Sequence, residues 1–213
     1  MEIFKALEAA ADPEKAVRMS AYLKDNFAFL GIQKPEREAL TKGFLAQKKK
    51  ESAVDWAFIE TCNGRLEREY HYLAVDYLLL VKDRLNAGDL KRIESLITRN
   101  SWWDTVDAFS TPLGCMFLKY PEIRQTLQGW MTGENMWLRR ISVIFQLHLK
   151  KNTDTGMLAE AIEKNLRSKE FFINKAIGWA LREYSKTDPD WVRAFIASHR
   201  LEPLSVREAS KYI

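Results

Sequence analysis

The stretch Asn100–Phe109, "NSWWDTVDAF", sets two adjacent indoles in front of two carboxylates. A fixed carboxylate can act as a general base or stabilise a developing cation, and an indole face favours positive charge. Ser101 followed by Asp104 predicts a capped helix start with a capping-box-like pair. At about 100° per residue, Trp102 aligns with Val106, Phe109 and Leu113, so it is expected in the core. Trp103 falls at the edge of that stripe, one turn from Asp107. The helix N-terminus is expected to favour the ionised carboxylate, with an effect that weakens after the first turn. Two readings follow from these residues. Trp103 covers the lip of the core beside a solvated aspartate, or the pair is a site.

A second segment bears on the choice. In "FFINKAIGWALREYSK" the apolar stripe is Ile173, Ile177, Ala180, Leu181 and Tyr184. Trp179 lies roughly opposite, beside Lys175, Arg182 and Lys186, where it cannot serve its own helix's core. Either a neighbouring helix buries it, or it is an aromatic platform flanked by cations, as nucleic-acid contacts require. Arg140 stands among the apolar Met136, Trp137, Val143 and Ile144. An arginine so placed is paired internally or held firmly for a phosphate, a task that suits its rigid fork.

These residues need helices to hold them. The chain has 213 residues, 29% of them charged, with a net charge of +4, 9 Gly and 6 Pro. That describes a folded globular protein of mildly basic character. Helix formers dominate, and no alternating strand pattern occurs. The breakers divide the chain into thirteen predicted helices: 2–10, 14–26, 35–50, 52–62, 66–85, 89–98, 102–118, 121–130, 135–150, 154–166, 170–185, 188–198 and 205–212. Four strong amphipathic segments start near residues 68, 102, 136 and 171, separated by 34, 34 and 35 residues. A long helix alternating with a shorter one at this period predicts an all-α, curved α-solenoid of HEAT-like helical hairpins, or else an evenly spaced bundle, over a single domain, 1–213.

Other chemistry finds no support. Cys62 and Cys115 are far apart, and His71, His148 and His199 are isolated, so neither metal nor cofactor is expected. Two thiols and no leader-like or membrane-spanning run predict a cytoplasmic address. The lysines at 48–50 close a predicted helix and are expected to be a solvated end.

The segments "NSWWDTVD", "RRISVIFQ", "FFINKAIGWALREYSK", "YLKDNFAFLGIQKPERE" and "LSVREASKYI" resemble those of the DNA alkylation repair family, the AlkD-type DNA glycosylases. The resemblance covers nearly the whole chain. It implies a HEAT-like array holding duplex DNA in a basic concave cleft and excising N3- or N7-alkylated purines. The damaged base would stay largely in the duplex, unlike the usual flipping enzymes. Carried onto this chain, the resemblance makes Asp107 the catalytic carboxylate. Trp103 and Trp179 would hold the damaged nucleotide's sugar and phosphate. Arg140 and Arg182 would bind phosphates, and Tyr22 would lie near the DNA. Apart from the resemblance, Lys150 and Lys175, as cations on the faces of their helices, are expected to add DNA contacts. Lys34 departs from the small hydroxyl residue that the family pattern implies there. A monomer acting on double-stranded DNA is expected, against the alternative of a non-catalytic helical-repeat module or protein scaffold.

Overall fold

The computed structural model describes residues 1–213. The chain is all-α and solenoid-like, with one isolated bridge between Ala28 and Glu67 as its only extended pairing. It divides into two compact units, Met1–Arg84 and Leu85–Ile213.

Unit one contains α1 (Glu2–Ala9), α2 (Pro13–Tyr22), α3 (Lys34–Lys48), α4 (Trp56–Asn63) and α5 (Arg68–Leu80). Asp12 caps α2 by accepting from the Glu14 and Lys15 amides, with Pro13 at the first helical position, as its sequence predicts. The predicted extension of α2 to residue 26 fails because Lys24 and Asp25 turn left-handed. The α4 helix packs on α5, and α3 packs on both α1 and α5. Glu69 is fully buried, accepting the amides of Leu30, Gly31 and Ile32 at 2.9–3.0 Å. It thereby satisfies three backbone donors of a connecting loop that has no helical partners. The triple-lysine helix end is only partly solvated: Lys48 pairs with Glu51 and Asp55.

Unit two holds α6 (Leu90–Thr98), α7 (Trp103–Val106), α8 (Ser110–Lys119), α9 (Arg124–Trp130) and α10 (Met136–Ile144). It continues with α11 (Thr155–Glu163), α12 (Phe171–Ser185), α13 (Pro189–Ser198) and α14 (Pro203–Ala209). The strong segments begin at 68, 103, 136 and 171, as the period predicts. One predicted helix, 102–118, is not continuous. A 3-10 turn, Asp107–Phe109, separates α7 from α8. Pro112 explains the break, since it lacks the N–H that would bond to the Ala108 carbonyl. The expected cap is also different. Ser101 Oγ donates back to the Ile97 carbonyl at 2.6 Å, and extended Trp102 takes the N-cap position.

The α10 helix packs on α6, α9, α11 and α12, while α12 packs on α10, α13 and most extensively α14. The last contact depends on Gly178. A Cβ there would lie 2.5 Å from Glu208 Cβ and 2.8 Å from the Ser205 carbonyl oxygen. Beside it, Ser205 Oγ donates to the Asn174 carbonyl at 2.8 Å, within the same buried seam. Gly178→Ala is therefore expected to destabilise the fold by about 1–3 kcal/mol through overpacking. An unchanged urea midpoint would show that the seam can widen at no cost.

Candidate active site

Unit two carries an open cleft of about 360 Å³ between the α7 turn, α10 and α12. Trp103 and Asp107 line one wall, and Arg140 reaches in from α10. The opposite wall is one face of α12, where Phe171, Lys175, Trp179 and Arg182 recur at three- and four-residue spacing. Both indoles are half-buried, so their rings are neither lost in the core nor fully in solvent. The tryptophan set against its own helix's apolar stripe therefore faces the cleft.

At the base lies a two-pronged ion pair. Arg140 donates through Nε to Asp107 Oδ1 and through Nη2 to Oδ2, both at 2.7 Å. Its remaining Nη1 donates to the Phe172 carbonyl, so the guanidinium also ties α10 to the first turn of α12. The arginine side chain is 4% exposed and the aspartate 15%. Burial pushes the Asp107 carboxyl above its ordinary value near 3.8, while Arg140's hydrogen bonds and charge oppose the rise.

Of the two settings open to Arg140, the structure shows internal pairing: each nitrogen of its fork has a protein acceptor, and it serves as Asp107's counter-ion. One expectation is corrected: a helix N-terminus does not chiefly support the carboxylate, since α7 has only four residues and Asp107 begins the 3-10 turn beyond it.

Trp102 is core only in part. Its ring packs against Trp137 and Phe172, with centroids at 5.7 and 5.3 Å, and it is half-buried. Val106, Phe109 and Leu113 are fully buried, as the stripe predicts. "FF" at the start of α12 repeats the division of "WW": Phe172 joins this aromatic cluster and Phe171 stays 60% exposed at the cleft.

The cations divide as well. Lys175 and Arg182 line the cleft, and both bond to the buried carboxylate of Glu208, at 2.9 and 2.8 Å. Lys150 does not join them. It follows α10 with φ +53° and lines a different cavity, with His148 and Tyr184. Tyr22 belongs to unit one, where it is 73% exposed at the end of α2, beside Arg18 and Phe29. Lys34, at the first turn of α3, forms an exposed ion pair with Glu38. Sequence reasoning missed Glu208, whose neighbours Arg207 and Lys211 suggest only a solvated charge pattern.

The cleft thus combines a buried acid, two indoles and a basic helix face. A family model described as DNA alkylation repair enzyme matches residues 3–213. The chain belongs to this family. Membership supports a role in DNA repair, with DNA as the family's substrate. A solved structure described as a predicted DNA alkylation repair enzyme from Enterococcus faecalis is 37% identical. It aligns with a TM-score of 0.88 over 95% of this chain and 96% of its own. The smu.31 protein of Streptococcus mutans UA159, 19% identical, shares the fold at a TM-score of 0.57 over 83% of this chain and 97% of its own. No curated protein matches the chain significantly.

Removing one partner of a buried ion pair strands the other charge. Arg140→Ala is accordingly expected to cost about 3–5 kcal/mol of stability. A melting curve identical to that of the parent would show that Asp107 reaches solvent without its partner.

Proposed function

We propose that the protein is a monofunctional DNA glycosylase that hydrolyses the N-glycosidic bond of N3- or N7-alkylated purines in duplex DNA. The observation that carries this reading is the juxtaposition of buried Asp107 with the Trp103 and Trp179 indoles in one cleft whose far wall carries Lys175 and Arg182. Family membership supports it at the level of DNA repair. The reading includes a monomer in the cytoplasm acting with little or no base flipping.

A purine alkylated at N3 or N7 already carries positive charge and departs as a neutral base, without a general acid. The remaining barrier lies in the sugar, which becomes oxocarbenium-like. Asp107 can stabilise that charge and orient the attacking water. At 4 Å and an effective dielectric of about 20, a unit pair gains roughly 4 kcal/mol. Arg140 opposes the gain from behind the carboxylate. A cation roughly 8 Å from the sugar would remove about 2 kcal/mol, leaving about thirtyfold in rate. Such a gain suffices for a labile cationic lesion but not for an unmodified nucleoside, so selectivity needs no tight base pocket. The indole faces of Trp103 and Trp179 favour the same developing charge. Lys175 and Arg182 supply the phosphate contacts.

A binding module is the second reading, favoured by the fact that Arg140 occupies both Asp107 oxygens. Duplex DNA carrying 7-methylguanine, incubated with the protein and then cleaved with alkali at abasic sites, separates the two. A glycosylase nicks it, a binding module shifts it without nicks, and a scaffold does neither.

With folded protein verified by circular dichroism, Asp107→Asn should abolish base release while DNA binding persists. Retained release would remove Asp107 from the chemistry. Because the carboxylate is the active form and its pKa is raised, parent activity should fall as pH drops. The midpoint is expected above the ordinary aspartate value near 3.8. An acid limb at or below that value would contradict the desolvated setting.

A further inference from the structure

Glu208 lies outside the cleft lining, yet two of the cleft's cations end on it. Its side chain is 4% exposed, and its two oxygens are shared by three close partners, with Arg207 Nη2 farther off at 3.9 Å from Oε1. Lys175 Nζ meets Oε1 at 2.9 Å, while Arg182 Nη1 and Lys211 Nζ both meet Oε2 at 2.8 Å. The two lysines hold the carboxyl well below its usual range, at about 2, with the Lys211 bond the largest cause and the Lys175 bond next. It is therefore ionised throughout the range in which the protein would work.

The backbone makes this reach possible. Gly178 lets α14 approach α12 so closely that Glu208 Cβ would overlap any Cβ at that position. From there the carboxylate meets Lys175 and Arg182, about two turns apart on α12. The Arg182 fork is only partly engaged. Nη1 is bound to Glu208 and Nε lies 4.0 Å from Glu183, which leaves Nη2 without a protein partner.

We propose that Glu208 is a positioning residue for the DNA-binding cations, fixing Lys175 and Arg182 in the cleft so that their free N–H groups meet the phosphate backbone. This rests on the reading of the cleft as a duplex-DNA site. Lysine and arginine lose rotamer freedom when they bind a ligand, and a buried acid that has already ordered them removes part of that loss.

The sign of one substitution tests the idea. Glu208→Gln keeps the shape and raises the net charge by one. If the acid were only a countercharge, its removal would tighten DNA binding and steepen the salt dependence. If it positions the cations, binding weakens by about tenfold, and the slope of log affinity against log salt flattens by about one as a phosphate contact is lost.

Dissociation constants are measured with 7-methylguanine duplex at several salt concentrations, for the parent, Glu208→Gln, Arg182→Ala and the double variant. Positioning predicts that Glu208→Gln costs less once Arg182 is gone, because only Lys175 is then left for the acid to order. Tighter or unchanged binding by folded Glu208→Gln would overturn the proposal, as would full additivity with Arg182→Ala. Should Glu208→Gln fail to fold, Glu208→Asp carries the test. It retains the charge but shortens the reach by one methylene, and is expected to bind more weakly than the parent; parental affinity would overturn the proposal. A parent protein that does not bind duplex DNA would instead sink the functional reading itself, and this inference with it.

Discussion

The site depends on how a carboxylate survives out of water. Asp107 is mostly buried, and burial alone would favour its neutral form. Arg140 compensates with two parallel hydrogen bonds, a geometry that only a planar fork provides. The same guanidinium bonds to the Phe172 carbonyl, so one side chain joins the α7 turn, α10 and α12. The charge of the acid, its direction and the spacing of the cleft walls thus have a single origin. The arrangement also limits the chemistry. A carboxylate held by a counter-ion is a modest electrostatic aid, suited to a leaving group that is already activated.

The α12 helix shows how one element serves both structure and site. Ile173, Ala176, Ile177, Ala180 and Leu181 face the core, while Lys175, Trp179 and Arg182 face the cleft. Gly178 lies between these sets and meets α14. Fifteen residues thus provide three surfaces, which leaves little freedom for the helix to rotate about its axis.

Much of this was legible in the sequence, for a physical reason. Helix faces follow from a fixed angle per residue, so the outward direction of Trp179 and the edge position of Trp103 could be derived. The period near 34 placed the four strong segments correctly. What the sequence hid were choices made between helices. Arg140 and Asp107 are 33 residues apart, about one repeat, so they occupy comparable positions on successive long segments. The period brings them near one another, but whether a given cation meets a neighbouring acid or solvent depends on inter-helix register. Glu208 was hidden for the same reason. The 3-10 turn was closer to the surface of the text, since Pro112 stands four residues after Ala108. Ser101 was misread because a hydroxyl that can cap forward can also bond backward to the preceding turn.

The close meeting of α12 with α14 ties the far wall of the cleft to a contact that lies outside it. Gly178 leaves no room for a side chain in the seam, and the helix that fills the space brings the acid to which Lys175 and Arg182 are bonded. Any displacement of α14 is therefore transmitted to these two cations, while Asp107 and Arg140, which bond to each other and to Phe172, have no partner on that helix.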